Sequence, residues 1–183
     1  MSGNTLPPNK RYISGHNDQG RSIYLNSPDQ ALAQIPGFGH MARSFATSSI
    51  PAIMENDVDV RNYSGTSSEA SFNRPDIVIP TGGVNVVVLD IAPSGDSHMH
   101  RTQSIDFSIC VIGEIEHELD GGEKVTLKPG DHIVQRGTMH KWKNASNTEP
   151  ARAVCVIVPA TSFEIPGTGK MLVEEHLGRV PGQ

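Results

Sequence analysis

Between residues 76 and 160 the chain is a succession of short β-branched runs, each closed by a turn residue, and this pattern constrains the fold more than any other feature. The runs read PDIVIP, GVNVVVLDIAP, IDFSICVIG, EIEHELD, KVTLKPG, HIVQRG, HKWKN and ARAVCVIVPA. Val, Ile and Thr pack well on a pleated, half-buried surface, and the Gly, Pro, Asn and Asp residues between the runs break and turn the chain. Each run is too short for a stable helix. Regularly spaced short strands with turn signals predict an all-β sandwich or barrel.

The rest of the chain is organised around that core. Residues 1–75 are rich in Ser, Asn, Pro and Gly and form an N-terminal extension expected to pack on the barrel or be swapped between barrels. Within it, RYIS and SIYL flank an Asp-Gln-Gly tip and predict a hairpin, and RSFAT predicts a third short strand. ENDVDVRNYSGTSSEASFN is polar and predicts a surface loop. Residues 161–183 form a C-terminal tail in which MLVEEHL, set between glycines and a proline, predicts a short helix. One domain of 183 residues is long enough to bury a core without disulfide staples.

Charge and composition narrow the partners. The net charge of −5 comes with no basic cluster, so nothing could replace the counterions of a nucleic-acid backbone. No apolar run is long enough to span a bilayer. MSGNTLPPNKRYISG lacks the apolar core of a secretion signal, so a cytoplasmic location is expected. Cys110 and Cys155 both sit in apolar runs and are expected as buried free thiols.

The chemistry concentrates in histidines. Five of the eight, His98, His100, His117, His132 and His140, lie within residues 98–140. Strand side chains alternate between faces, so His98 and His100 point the same way. Asp106 opens the next apolar run and His140 opens HKWKN. Three imidazoles and a carboxylate make a donor set that Zn²⁺, Fe²⁺ or Mn²⁺ accepts.

At these residues the sequence resembles the cupin superfamily. His98-Met99-His100, then Asp106 followed by six residues and Gly113, are similar to the first cupin motif. Gly137, His140 and Asn144 in GTMHKWKN, preceded by LKPGD, are similar to the second. Ala92 stands where that family has glycine, five residues rather than three or four separate His100 from the acid, and the acid is Asp rather than Glu. The resemblance implies a cupin-type β-barrel, a double-stranded β-helix or jelly-roll, over residues 76–160. It further implies a divalent metal, Zn, Fe or Mn, on His98, His100, Asp106 and His140; a metal-free pocket using the same side chains as acids and bases remains the alternative. HRTQSIDF, GEIEHELDGGEKVTLKPGD and VQRGTMHKWKN look like the small cupins of fungal and bacterial pathways for aromatic and polyketide-like metabolites. Cupins of this size commonly pair, so a homodimer is expected.

The remaining pocket residues follow from alternation. Ser108 shares the face of Asp106, and Trp142 that of His140. Trp142 reads as core packing or as an aromatic wall for a flat substrate. His117 should look inward because Glu116 and Glu118 take the other face, and an inward imidazole can move a proton near neutral pH. Arg136, in the QRGT turn, is placed to bind a carboxylate, with Gln135 beside it at the mouth. Arg101 should point away from His100. Asn144 is expected to hold a turn or a backbone group, and His132 to be structural. His16, His40 and His176 carry no signal. Taken with the resemblance, these residues imply a lyase or isomerase, a decarboxylase or dehydratase acting on a small aromatic or polyketide-like acid, with His140, His117 and Arg136 catalytic and Trp142, Ser108 and Gln135 binding the substrate. A cupin Fe²⁺ dioxygenase and a non-enzymatic small-molecule binding barrel are the alternatives.

Overall fold

The structure, a computed structural model, describes residues 6–27, 29–30, 32–64 and 76–177. The strands are β1 (Ile13–His16), β2 (Ser22–Leu25), β3 (Leu32–Ile35), β4 (Gly39–Ala46), β5 (Asn85–Ile91), β6 (His100–Arg101), β7 (Ser104–Ile112), β8 (Ile115–Leu119), β9 (Lys124–Leu127), β10 (His132–Arg136), β11 (His140–Asn144), β12 (Ala151–Pro159), β13 (Glu164–Ile165), β14 (Lys170–Met171) and β15 (Glu175–His176). One sheet runs β10-β7-β12-β5-β4-β3 and the other β15-β6-β11-β8-β9. The pairings are antiparallel throughout. Non-sequential neighbours such as β7 beside both β10 and β12 are jelly-roll connections, and the fold class is the all-β cupin-type barrel expected.

Alternation in the strands builds the core. In β7, Ser104, Asp106, Ser108 and Cys110 are buried, while Phe107 and Val111 are exposed. The apolar centre joins Phe38, Ile91, Cys110, Ile115, Trp142 and Cys155. Both cysteines are free and buried. Gly113 turns β7 into β8 at φ +74°, and a Cβ there would meet the Ala151 Cβ at 2.9 Å, so both conformation and space call for glycine.

The first 75 residues contribute directly to the barrel. The expected β1–β2 hairpin is present. RSFAT is the end of the longer β4, which pairs with β5, and β3, which carried no clear alternation, adds the edge. Arg152, in a buried bidentate pair with Asp90, also donates to the Pro7 carbonyl at 3.0 Å and ties the N-terminal segment to the sheet.

Three local expectations are corrected. Residues 58–64 form a short helix, α1 (Val58–Ser64), rather than loop, because Tyr63 finds a buried site against Phe45 and under Arg11; the remainder of that polar segment, 65–73, lies outside the described residues. Residues 76–80 of PDIVIP form bends and a turn rather than a strand, the Ile77 carbonyl taken by the Asn85 side chain and the Ile79 carbonyl by the Gly82 N–H. Proline at either end of the run removes N–H donors that a ladder would need. MLVEEHL is extended, not helical. Seven residues give a poor return on helix nucleation, and here neighbouring strands take the backbone bonds: Leu172 N–H donates to Phe163 O and Leu177 N–H to Met99 O, both at 2.8 Å.

Candidate active site

Register places the histidines together. Residues directly opposite in an antiparallel pair present side chains on one face. His176 of β15 lies opposite His100 of β6, which lies opposite His140 of β11. Two residues along, Trp142 lies opposite His117 of β8. His98, in the loop entering β6, joins the same group. Ring centroids are 5.1 Å apart for His98–His100, 4.5 Å for His100–His140, 5.3 Å for His117–His140 and 4.5 Å for His117–Trp142. The group runs from solvent inward: His98 is exposed, His100 and His176 are half-buried, and His140 and His117 are buried.

Hydrogen bonds fix how these rings present their nitrogens. The Thr138 carbonyl accepts from His140 Nδ1–H at 2.9 Å and from the Gln135 amide nitrogen at 2.9 Å. That second bond, with another to the Thr138 hydroxyl, turns Gln135 Oε1 toward His117, where it accepts the Nε2–H at 2.7 Å. His100 donates Nδ1–H to the His98 carbonyl at 2.9 Å. His100 and His140 therefore carry their lone pairs on Nε2, and His117 carries its own on Nδ1.

Burial sets the charge states. It pushes His140 down to about 3, helped by the neighbouring His100 and His117 and opposed by the Thr138 carbonyl. Burial also lowers His100 and His117, against the hydrogen bonds of the His98 carbonyl and of Gln135. These three rings are neutral at pH 7. Asp106 is pushed up to about 6 by burial, with Ser104 pulling the other way, and its Oδ1 has no hydrogen-bond partner. Burial takes the Cys155 thiol to about 12, so it is no nucleophile at neutral pH.

The metal set expected from the sequence is not assembled. Among the described residues no three His, Cys, Asp or Glu side chains stand where they could hold one ion. Two of the four expected ligands stand apart: His98 Nε2 bonds His176 Nδ1 at 2.8 Å, and Asp106 lies on the opposite sheet with its Oδ1 unpartnered. As they stand, these side chains do not fit a four-ligand site.

The other expected residues divide. Gln135 is an inner support rather than a rim residue. Trp142 belongs to the apolar core and also meets His117 edge-on. Ser108 is buried opposite Cys155. A cleft of about 1070 Å³ opens beside β8, β9, β10 and the C-terminal hairpin; Arg136, Phe163, His117 and Gln135 line it, whereas His98, His100 and His140 do not. Arg101 pairs with Glu175, and Asn144 holds the Ile91, Ala92 and Glu149 carbonyls. His132 opens β10 and is exposed. No local pattern points to His176 or Glu174, because their place depends on β15 pairing with β6, far earlier in the chain.

Residues 87–157, from β5 to β12 and including His98, His100, His117 and His140, match the family model described as the cupin domain. This chain belongs to the cupin family. The cupin is 41% identical over 159 residues to phomopsin biosynthesis cluster protein D of Diaporthe leptostromiformis, covering 86% of this chain and 82% of the relative. It is 32% identical over 177 residues to oryzines biosynthesis cluster protein J of Aspergillus oryzae, covering 96% and 94%. A cupin-domain-containing oxidoreductase of Neurospora crassa is 33% identical over 150 residues, covering 81% and 72%. Among the described residues of this cupin, no helix is long and apolar enough to cross a membrane.

Proposed function

We propose that this cupin is a small-molecule enzyme of secondary metabolism doing acid–base chemistry of the lyase or isomerase type, decarboxylating or dehydrating an aromatic or polyketide-like acid. The observation that carries this reading is the group of three neutral, tautomer-fixed imidazoles on His100, His140 and His117. A buried imidazole that accepts a proton becomes a strong acid and returns it readily, which suits transient proton transfer. Arg136 at the cleft would take the substrate carboxylate in its planar fork. His117 Nδ1 would accept or return the proton, with His140 Nε2 as the second group. Trp142 and Ser108, buried outside the cleft, would back the histidines. In a decarboxylation His117 first takes up a proton from solvent at Nδ1; the C–C bond to the carboxylate breaks, its electron pair passes to the enolate, CO₂ leaves, and that proton is delivered to carbon, returning His117 to its neutral form.

A divalent ion would add Lewis-acid stabilisation of that enolate. His98, one of its expected ligands, would first have to leave His176. The names of the relatives support small-molecule biosynthesis, and the word oxidoreductase in one of them supports a second reading, a dioxygenase.

Incubation with 2-hydroxybenzoic and β-keto acids under strict anaerobiosis separates these readings. Loss of CO₂ or water is expected without oxygen. Turnover that requires O₂ and consumes it would move the assignment to a dioxygenase, and binding without turnover would make the barrel a carrier. Unaltered turnover in His140→Ala would remove the histidine group from catalysis.

A further inference from the structure

We propose that His176, brought in by the C-terminal segment, is a positioning residue of this site: with its Nε2–H held by Glu174, it accepts the His98 Nε2–H at Nδ1 and so fixes the His98 ring beside His100. This deepens the acid–base reading above and rests on it. A carboxylate can only accept, so the 2.7 Å contact between Glu174 Oε1 and His176 Nε2 puts the proton on that nitrogen. In the neutral ring Nδ1 then holds a lone pair, and the proton in the 2.8 Å contact with His98 comes from His98 Nε2. His176 also lies parallel to His100, with ring centroids 5.8 Å apart and planes 5° apart.

The segment that delivers His176 is anchored on both sides of it. Glu175 pairs with Arg101 and faces it in register. Leu177 N–H holds the Met99 carbonyl at 2.8 Å, and the Leu172 side chain is buried against Gly137. Adjacent acidic residues thus do different work, Glu175 fastening the strand and Glu174 orienting the ring. Holding His98 in place also keeps its carbonyl on His100 Nδ1 at 2.9 Å, and His100 is one of the three imidazoles of the site.

The test reads the bond directly. In ¹⁵N-labelled protein at pH 8, a coupling across the N–H···N bond between His98 and His176 is expected, with a His98 Nε2–H slow to exchange. His176→Leu should abolish both and lower turnover of the best acid from the anaerobic assay by up to about 100-fold, as misplacement of a positioned group does, with KM within about twofold. Absence of the coupling in the native protein, or wild-type turnover in His176→Leu, would overturn the proposal. Should His176→Leu not fold, Glu174→Ala is read in its place, with the same losses expected and the same retained values overturning it. A silent His140→Ala with the coupling intact would sink the acid–base reading alone.

Discussion

Gln135 Oε1 accepts the His117 Nε2–H at 2.7 Å, a bond that crosses the barrel from β10 in one sheet to β8 in the other. Both side chains are buried, 2% and 4% exposed, so neither can turn to water if the other is lost. Gln135→Met keeps the volume and strands the imidazole N–H. The expected cost is on the order of 1–3 kcal/mol in urea denaturation, the range for an unsatisfied buried donor. A change within about 0.5 kcal/mol, the ordinary range for a surface substitution, would show that the bond does not contribute to holding the sheets together.

Asp106 and His140 should act on stability in opposite directions as pH changes. Asp106 is raised from 3.8 to about 6, so its folded form binds the proton more tightly. Its favourable contribution is complete below about pH 4 and is lost as pH rises through about 6. Above that, Asp106→Asn should be more stable than wild type by on the order of 2–3 kcal/mol, with the gap closing toward pH 4. His140 is lowered from 6.5 to about 3. Its contribution is complete above about pH 6.5 and is lost as pH falls toward 3, so His140→Gln should flatten the acid limb. Denaturation curves of both variants from pH 4 to 8 check the pair. Parallel curves would show that neither group is desolvated in solution.

The barrel and most of its histidines were legible because they depend on short-range pattern. Alternation put His117, His140 and Trp142 on inner faces, and turn residues marked the strands around them. What was not legible depends on pairing across distance. His176 enters through a two-residue strand whose register against His100 no local feature encodes. The same limit explains the metal expectation: spacing places His98 and Asp106 near a common site, whereas His98 is turned to His176 and Asp106 stands on the opposite sheet, which spacing does not report. MLVEEHL has the flanks of a helix, and sheet-edge partners take its hydrogen bonds instead.

The orientations of His98 and Asp106 bear on metal content. Protein purified without a polyhistidine tag is expected to carry Zn, Fe and Mn well below one equivalent, because binding would cost the His98–His176 bond and would have to draw Asp106 across from the opposite sheet. Elemental analysis alongside His100→Ala decides the matter. A stoichiometric ion that is lost in the variant would restore the four-residue ligand set.

The outer edge of β3 gives a last prediction. It ends the six-stranded sheet, its far side has no strand partner among the described residues, and Leu32 on it is 40% exposed. An open apolar edge invites pairing with another strand. The neighbouring β1–β2 hairpin exposes Tyr12 and Tyr24, whose rings meet at 5.7 Å. We therefore expect a two-fold dimer formed through this edge, with a sedimentation mass twice that of the chain. Leu32→Lys places a charge on the edge and should shift the equilibrium toward monomer at micromolar concentration, with turnover kept because the histidine group lies on the other sheet. A wild-type protein that sediments as a monomer would rule out the dimer. A dimer unmoved by Leu32→Lys would place its interface elsewhere.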